Sequence, residues 1–144
     1  MATNLKLFLK ENKKTKKTTI YPATKSLCDE KGNPLPWIVK AITTDEAEKI
    51  REECTIDVQI TGKPGAYRQK LLTSKYIAKL MCACVVTPDL YDKELQDSYG
   101  VMTPEELIKA MIDNPGEYDE FASFIQNYNG FDETMQDKVD EAKN

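Results

Sequence analysis

The sequence predicts an α+β fold, in which a small N-terminal antiparallel hairpin or sheet packs on a mainly α-helical C-terminal body. Residues 19–60 contain stretches of β-forming residues separated by a segment rich in turn formers, followed by a capped helix. Residues 66–144 place apolar side chains at helical spacing, interrupted by proline and glycine, and end in an acidic helix. With 144 residues, 40% of them hydrophobic, the chain has room for a single domain with one modest core.

The most apolar helix is predicted in the middle of the chain, and we expect it to form the centre of the core. The residues of its apolar face recur at helical spacing; they are Tyr76, Ile77, Leu80, Met81, Cys84 and Val85. Lys75 and Lys79 mark a polar strip beside this face. Cys84 should therefore point into the core, whereas Cys82 borders the polar strip and should be the more accessible thiol. Pro88 ends the helix because proline lacks a backbone N–H for the helical ladder.

The chain is expected to begin with a basic, partly mobile arm, residues 1–18. A short helix over residues 4–11 would bury Leu5, Phe8 and Leu9. The KKTKK sequence that follows contains no apolar residue that could fix it to the rest of the protein.

An antiparallel hairpin is expected next. Thr19 to Tyr21 is typical of a strand, the turn-forming sequence DEKGNP follows, and a second strand runs from Leu35 to Ile42. The prolines of the second strand stand at its start, where a sheet edge tolerates them. Trp37 should be buried and should anchor the hairpin to the helices.

Further elements are indicated by capping signals and by changes of period. Thr43 and Glu46 form a capping-box pattern that opens a helix ending near Cys54, and residues 55–60 alternate like a short strand before a GKPG turn. After the central helix we expect a short helix over 92–99, a capped helix from Thr103 to Ile112, an aromatic-faced helix over 117–128 and an acidic helix from Asp132 onwards. The last helix has a thin apolar stripe, so we expect weak docking.

An aromatic row near the C-terminus is the candidate partner-binding site, although such a stripe more often packs inside a core. Its residues are Tyr118, Phe121, Phe124, Tyr128, Phe131 and Met135.

The composition argues against an enzyme, a cofactor or a metal site. The sequence has no histidine, which is the side chain that most often acts as a general base near neutral pH. On a helix, the side chains of Cys82 and Cys84 diverge by about 200°. No second cysteine pair stands at the spacing of a zinc site.

The charge is unevenly distributed along the chain. Residues 1–25 carry +6, residues 26–85 carry +1, and residues 86–144 carry −11, for a net charge of −4. The lysines at 13–17 could neutralise phosphates, so a small nucleic-acid-binding regulator that uses the basic arm is the alternative function. The run contains no arginine or aromatic residue, and the acidic remainder of the chain argues against nucleic acid.

No apolar run approaches the roughly 20 residues that span a bilayer, so we expect no membrane association. The apolar LKLFL sequence near the N-terminus is shorter than the roughly 7–15 residues of a signal-peptide core. We therefore expect a cytoplasmic protein.

Several short blocks, taken in their order and spacing, resemble the XkdN-like family of phage tail assembly chaperones from phages and prophages of Gram-positive bacteria. They are L-x-x-FL-x-x-N at Leu5 to Asn12, D-E-x-G at Asp29 to Gly32, Trp37 ahead of an acidic capped helix, VVTPDL…ELQDSYGV at Val85 to Val101, PGEY at Pro115 to Tyr118, NGFD at Asn129 to Asp132, and VDEAKN at Val139 to Asn144.

The resemblance implies a non-enzymatic chaperone in the cytoplasm of a bacterial host. Its partner would be the tape measure protein, a very long helical protein that sets tail length, with the major tail tube protein as a further candidate. The chaperone would keep the tape measure protein soluble, assist assembly of the tail tube around it, and be absent from the mature tail. An amphipathic partner helix could be covered by docking in a groove.

Overall fold

The structure, a computed structural model, describes residues 4–131 and confirms the α+β class. The strands are β1 (Thr19–Tyr21), β2 (Trp37–Val39), β3 (Thr55–Gln59), β4 (Tyr67–Leu71) and β5 (Val85–Thr87). The helices are α1 (Thr44–Glu53), α2 (Thr73–Cys84), α3 (Lys93–Ser98), α4 (Pro104–Met111) and α5 (Pro115–Tyr128), preceded by two 3₁₀ turns at Leu5–Phe8 and Lys10–Asn12. Among residues 4–131, no helix combines the length and apolarity needed to cross a membrane.

The predicted antiparallel hairpin is present, with shorter strands than expected. β1 pairs with β2, so that Tyr21 lies opposite Trp37 and Thr19 lies opposite Val39. The second strand covers Trp37–Val39 rather than the predicted Leu35 to Ile42. Since Tyr21 and Trp37 share a face of the sheet, both reach the core, whereas Ile20 points to the other face and is exposed.

A third strand, which the sequence analysis did not predict, corrects the end of the central helix. α2 ends at Cys84, and Val85–Thr87 continues as β5, which pairs antiparallel with β2. The β-branched residues of β5 favour a strand, and Pro88 restricts the preceding residue to extended conformations. Lys40 N–H donates to Cys84 O at 2.8 Å, which fixes the helix end to the sheet.

A second hairpin corrects the start of the helical body, which was predicted at residue 66. β4 pairs with β3 across the predicted GKPG turn, from Thr55 opposite Leu71 to Gln59 opposite Tyr67. The helices after it begin at Thr73. β4 has the mostly polar sequence YRQKL, and four of its five side chains are exposed. It therefore lacks the apolar alternation by which a strand is predicted from sequence.

α2 forms the centre of the core, as predicted, and packs against α1, α4, α5 and β5. Leu80, Met81 and Cys84 are buried on one face of α2. The residues that surround them include Trp37, Leu107, Ile108, Ile112, Phe121 and Ile125. Trp37 meets Phe121 edge-to-face, with 5.6 Å between the ring centroids, and thereby joins the sheet to α5 as expected.

The predicted helix starts are capped by side chains. Thr43 Oγ1 accepts from Glu46 N–H and the Glu46 carboxylate accepts from Thr43 N–H, both at 3.2 Å, which completes the predicted capping box. Thr103 Oγ1 accepts from Glu106 N–H at 3.1 Å at the start of α4. Asn114 caps α5 in the same way. The capping patterns at Thr43 and Thr103 therefore located the starts of α1 and α4 correctly, whereas α5 begins two residues before the predicted Glu117 and has a cap that the sequence analysis did not predict.

The N-terminal helix prediction was wrong. Residues 5–12 form two 3₁₀ turns instead of an α-helix, and Leu5, Phe8 and Leu9 are exposed rather than buried. A segment of eight residues is too short to form a stable α-helix without a packing surface. The predicted acidic helix from Asp132 onwards, with Met135 and Val139, lies outside the described residues.

The prediction for Cys82 was also wrong. Cys82 is only 3% exposed, because α4 packs against the side of α2 that carries the predicted polar strip. Lys79 forms ion pairs there with Glu53 at 3.5 Å and with Glu105 at 3.3 Å. Burial raises the pKa of the Cys82 thiol to about 12 and that of Cys84 to about 11.

Replacing Leu80 by Ala should lower the free energy of unfolding by about 2–5 kcal/mol, because it opens a cavity where α2 is most completely buried. Urea denaturation measures this loss. Leu7→Ala is a matched control, since Leu7 is exposed and the same truncation there should change stability by less than about 0.5 kcal/mol. Equal losses for the two variants would show that α2 is not the centre of the core.

Cys28 should react with an aromatic disulfide reagent at pH 8 well before the other three cysteines, because it is exposed and they are buried. The raised pKa values of Cys82 and Cys84 leave almost no thiolate to react. The colour released in native buffer should correspond to one thiol and should disappear in Cys28→Ser. Release of two thiols in that variant would contradict the packing of α4 on α2.

Candidate partner-binding surface

Three aromatic rings stack where β1 meets α5, and we call Tyr21, Phe124 and Tyr128 the aromatic strip. The centroids of Tyr21 and Phe124 are 4.3 Å apart, with an interplanar angle of 21°. Those of Phe124 and Tyr128 are 6.0 Å apart at 14°. Each ring is half-buried, so part of its surface faces the core and part remains accessible.

The structure separates the six predicted site residues into different environments. Phe121 is fully buried between Tyr21 and Trp37, so it contributes packing and no surface. Tyr118 lies on the other flank of α5, in a groove that it shares with Ile77 of α2. Phe131 follows α5 and is 46% exposed. Phe124 and Tyr128 are the two predicted residues that the fold brings together, and Met135 lies outside the described residues.

Tyr21 belongs to this surface, although the sequence analysis did not include it. It stacks on both Phe121 and Phe124 because β1 runs beside α5. Burial raises the pKa of the Tyr21 hydroxyl, and the nearby Glu120 carboxylate raises it further. The alternation of β1 could have indicated this role, because it places Tyr21 on the same face of the sheet as its buried partner, Trp37.

Lys16 of the basic arm is the second residue that the sequence analysis missed here. Its ammonium group donates to the backbone oxygen of Tyr128 and lies 4.2 Å from the centroid of the Tyr128 ring. Both contacts are favourable, since the ring face and the C-terminal end of α5 are electronegative. The basic arm is therefore anchored to α5 at this point, and a groove of about 540 Å³ lies between residues 13–16, 41–44 and 128–130.

Asn129 fixes the end of α5 to the core and to the sheet. Its side-chain oxygen accepts from Ile42 N–H at 2.9 Å, and its side-chain nitrogen donates to Ile125 O at 2.8 Å and to Cys84 Sγ at 3.3 Å. Gly130 then adopts a φ of 88°, which permits the left-handed turn of the helix cap. Phe131 N–H donates to Gln126 O at 2.8 Å, as in a Schellman motif.

The start of α5 is fixed to the segment after β1 by Glu117. Its carboxylate accepts from Thr24 Oγ1 and from Lys25 N–H, both at 2.8 Å. The bond from the Lys25 backbone, followed by that from Thr24, lowers the pKa of Glu117. Both ends of α5 are thus fixed relative to the sheet, which keeps the stacked rings of the aromatic strip in register.

The surface presents the partly accessible rings of the aromatic strip between charges of opposite sign. Asp119 and Glu120 line the flank of the aromatic strip beside Tyr21 and Phe124, whereas Lys16 lies at its other end. Apolar ring surface bordered by charge is suited to binding another protein. Within residues 4–131, no three His, Cys, Asp or Glu side chains are grouped closely enough to hold a metal ion.

Comparison with known proteins confirms the resemblance found in the sequence. The phage XkdN-like tail assembly chaperone family matches residues 5–143. The phage-like element PBSX protein XkdN of Bacillus subtilis (strain 168) is 29% identical over 123 residues, which cover 85% of this chain and 82% of that protein. Protein YqbN of the same organism is 30% identical over 123 residues, which cover 85% of this chain and 81% of that protein.

The crystal structure of protein YqbN has the same fold. It superposes with a TM-score of 0.74 at 25% sequence identity, and the match covers 90% of this chain and 98% of that chain. The sequence match covers more than four fifths of each protein, and the structural match covers at least nine tenths of each chain. The chain therefore belongs to the XkdN-like family of phage tail assembly chaperones.

Proposed function

We propose that this protein is a non-enzymatic chaperone that binds a phage tape measure protein in the host cytoplasm, assists assembly of the tail tube, and is absent from the mature tail. The observation that carries the proposal is the family match over residues 5–143, which includes most of the basic arm and all of α5. The major tail tube protein is the second candidate partner, since it assembles around the tape measure protein.

The exposed apolar residues of the basic arm support a binding function. Leu5, Leu7 and Phe8 are 71%, 70% and 74% exposed, and Leu9 follows them directly. Four large apolar residues in a run of five are not required for the core, which is filled by other residues. Accessible apolar clusters of this kind mark sites where another polypeptide binds.

The aromatic strip provides a second contact surface next to the arm. Lys16 connects the two, because it leads from the arm directly onto Tyr128. A long helical partner exposes apolar stripes that aggregate when they are uncovered. An arm that carries leucines and a strip of aromatic rings could together cover one such stripe by helix-in-groove docking.

Co-expression with the tape measure protein of the same tail should raise the soluble fraction of that protein and lead to co-purification. The double variant Leu7→Asp, Phe8→Asp should reduce both, because charge in the contact opposes apolar burial. Both residues are exposed, so the variant should keep wild-type stability. Met102→Asp is the matched control, since Met102 is 87% exposed and lies between α3 and α4.

The outcomes distinguish a wrong function from a wrong assignment of the contact site. If the wild-type protein neither solubilises nor retains the tape measure protein, the proposed function is wrong. If the double variant behaves like wild type while Phe131→Asp loses the partner, the contact lies at the end of α5 and not on the basic arm.

Nucleic-acid binding is the alternative, and it is favoured by the exposure of Lys13, Lys14 and Lys17. This function predicts retardation of DNA or RNA in a gel at low salt, with affinity that falls steeply as salt is raised. Replacing these three lysines by Gln should abolish the shift, whereas the same change at the exposed Lys31, Lys49 and Lys63 should not. No retardation by the wild-type protein excludes this alternative.

A further inference from the structure

Asn129 and Gly130 form the one Asn-Gly pair of the sequence. An asparagine modifies itself when the backbone nitrogen of the next residue attacks its side-chain amide carbon, and glycine permits this most readily because it has no Cβ to hinder the approach. Asn33 and Asn114 precede prolines, which lack the N–H that the reaction needs. The other asparagines within the chain precede leucine, lysine or tyrosine, whose side chains hinder the attack. Asn129 is therefore the position best suited to this chemistry.

The folded structure keeps the reacting groups of this pair apart. The side-chain amide of Asn129 is held by three hydrogen bonds, one of them from Ile42 N–H in the segment after β2. The attacking nitrogen, that of Gly130, donates to Asn127 O at 3.0 Å. Since ψ of Asn129 is 3°, this nitrogen nearly eclipses the Asn129 nitrogen and lies about 120° of rotation from the Cβ that carries the amide. Ring closure needs the nitrogen beside that Cβ, so the native cap of α5 must open before the pair can react.

We propose that the Asn129-Gly130 pair is a self-modification site that reacts when the C-terminal cap of α5 opens. The Gly130 nitrogen loses its proton and bonds to Asn129 Cγ, the bond from Cγ to Nδ2 breaks, and ammonia leaves with that proton. Water then hydrolyses the succinimide ring to aspartate or isoaspartate. The reaction consumes only water, and the loss of ammonia makes it irreversible. This inference concerns contacts within one chain and needs no partner protein.

Conversion removes contacts that fix the end of α5 to the core. A carboxylate at position 129 still accepts from Ile42 N–H, but it has no N–H to donate to Ile125 O or to Cys84 Sγ. It also adds negative charge at the carbonyl end of α5, where the helix dipole disfavours it. The last turn of α5 therefore loosens after conversion, whereas its first turn stays held by Glu117.

Rates of deamidation in the full-length chain test the site and its protection by the fold. Trypsin releases residues 110–138 as one fragment, so mass spectrometry compares Asn114, Asn127 and Asn129 within a single peptide. In concentrated urea we expect Asn129 to convert well before the other two, at the rate of a synthetic peptide of residues 125–131 in the same urea. In native buffer the conversion should be about 10- to 1,000-fold slower, because opening the cap breaks three side-chain hydrogen bonds.

Removing one backbone hydrogen bond of the cap should raise the rate in the folded chain. Phe131 N–H donates to Gln126 O at 2.8 Å, and Phe131→Pro deletes this donor without altering the Asn-Gly pair. We expect about tenfold faster conversion in native buffer and an unchanged rate in urea. Phe131→Ala is the matched control, since it keeps the N–H and shortens a side chain that is 46% exposed. Its rate in native buffer should stay within about twofold of wild type.

Hydrogen exchange in Asn129→Asp measures the effect of the modification on α5. Backbone amides of residues 125–131 should exchange about tenfold faster than in wild type, whereas those of residues 118–122 should be unchanged. Asn127→Asp is the matched control, because Asn127 is exposed and the variant adds the same charge two residues away. Its exchange should resemble that of wild type.

Four results would overturn the proposal. Equal rates in native buffer and in urea, or an unchanged native rate in Phe131→Pro, would show that the cap does not protect the pair. Faster conversion of Asn114 or Asn127 in urea would show that the site lies elsewhere. Wild-type exchange at the end of α5 in Asn129→Asp would show that the modification leaves the helix intact. The first three are measured with Asn129 in place, so they do not depend on how Asn129→Asp folds.

Discussion

The burial of α2 between the three-stranded sheet and the helices α4 and α5 is the constraint on which the other contacts depend. α2 leads without a break into β5, so its position also determines the edge strand of the sheet. Trp37 and Phe121 then connect the sheet to α5 across the same core. Because these side chains are fully buried, a shift of α2 would separate the sheet from α5.

The candidate binding surface is held in place by the same core. Asn129 bonds to both Cys84 at the end of α2 and Ile42 beyond β2, so the end of α5 is fixed where helix and sheet meet. Glu117 fixes the start of α5 through Thr24 and Lys25. The stacking of Tyr21 on Phe124 follows from these contacts. The partly accessible rings therefore lie on rigid elements, so binding requires no reordering of their backbone.

The sequence predicted what depends on local signals and missed what depends on distant packing. Capping residues located α1 and α4, and helical spacing indicated α5 and the core face of α2, because caps and periodicity are encoded within a few neighbouring residues. The polar β4 depends on pairing with β3 and is not apparent from its own residues. The β-branched residues of β5 favour a strand, but the helical spacing of the central helix continues through Val85 and hid this signal, so β5 is evident only from its pairing with β2. Likewise, the aromatic row indicated Phe124 and Tyr128, but Tyr21 and Lys16 join them only through the tertiary fold.

The exposed leucines of the basic arm lie next to positively charged side chains, which affects how copies of the chain interact. Lysines alternate with these apolar residues, as in the sequence LKLFLK, and the KKTKK run follows directly. Charge placed next to an apolar run opposes self-association, because pairing two such arms would bring like charges together. The lysines of the basic arm therefore oppose pairing between two copies, whereas an arm without charge would leave its exposed leucines free to associate with those of another copy.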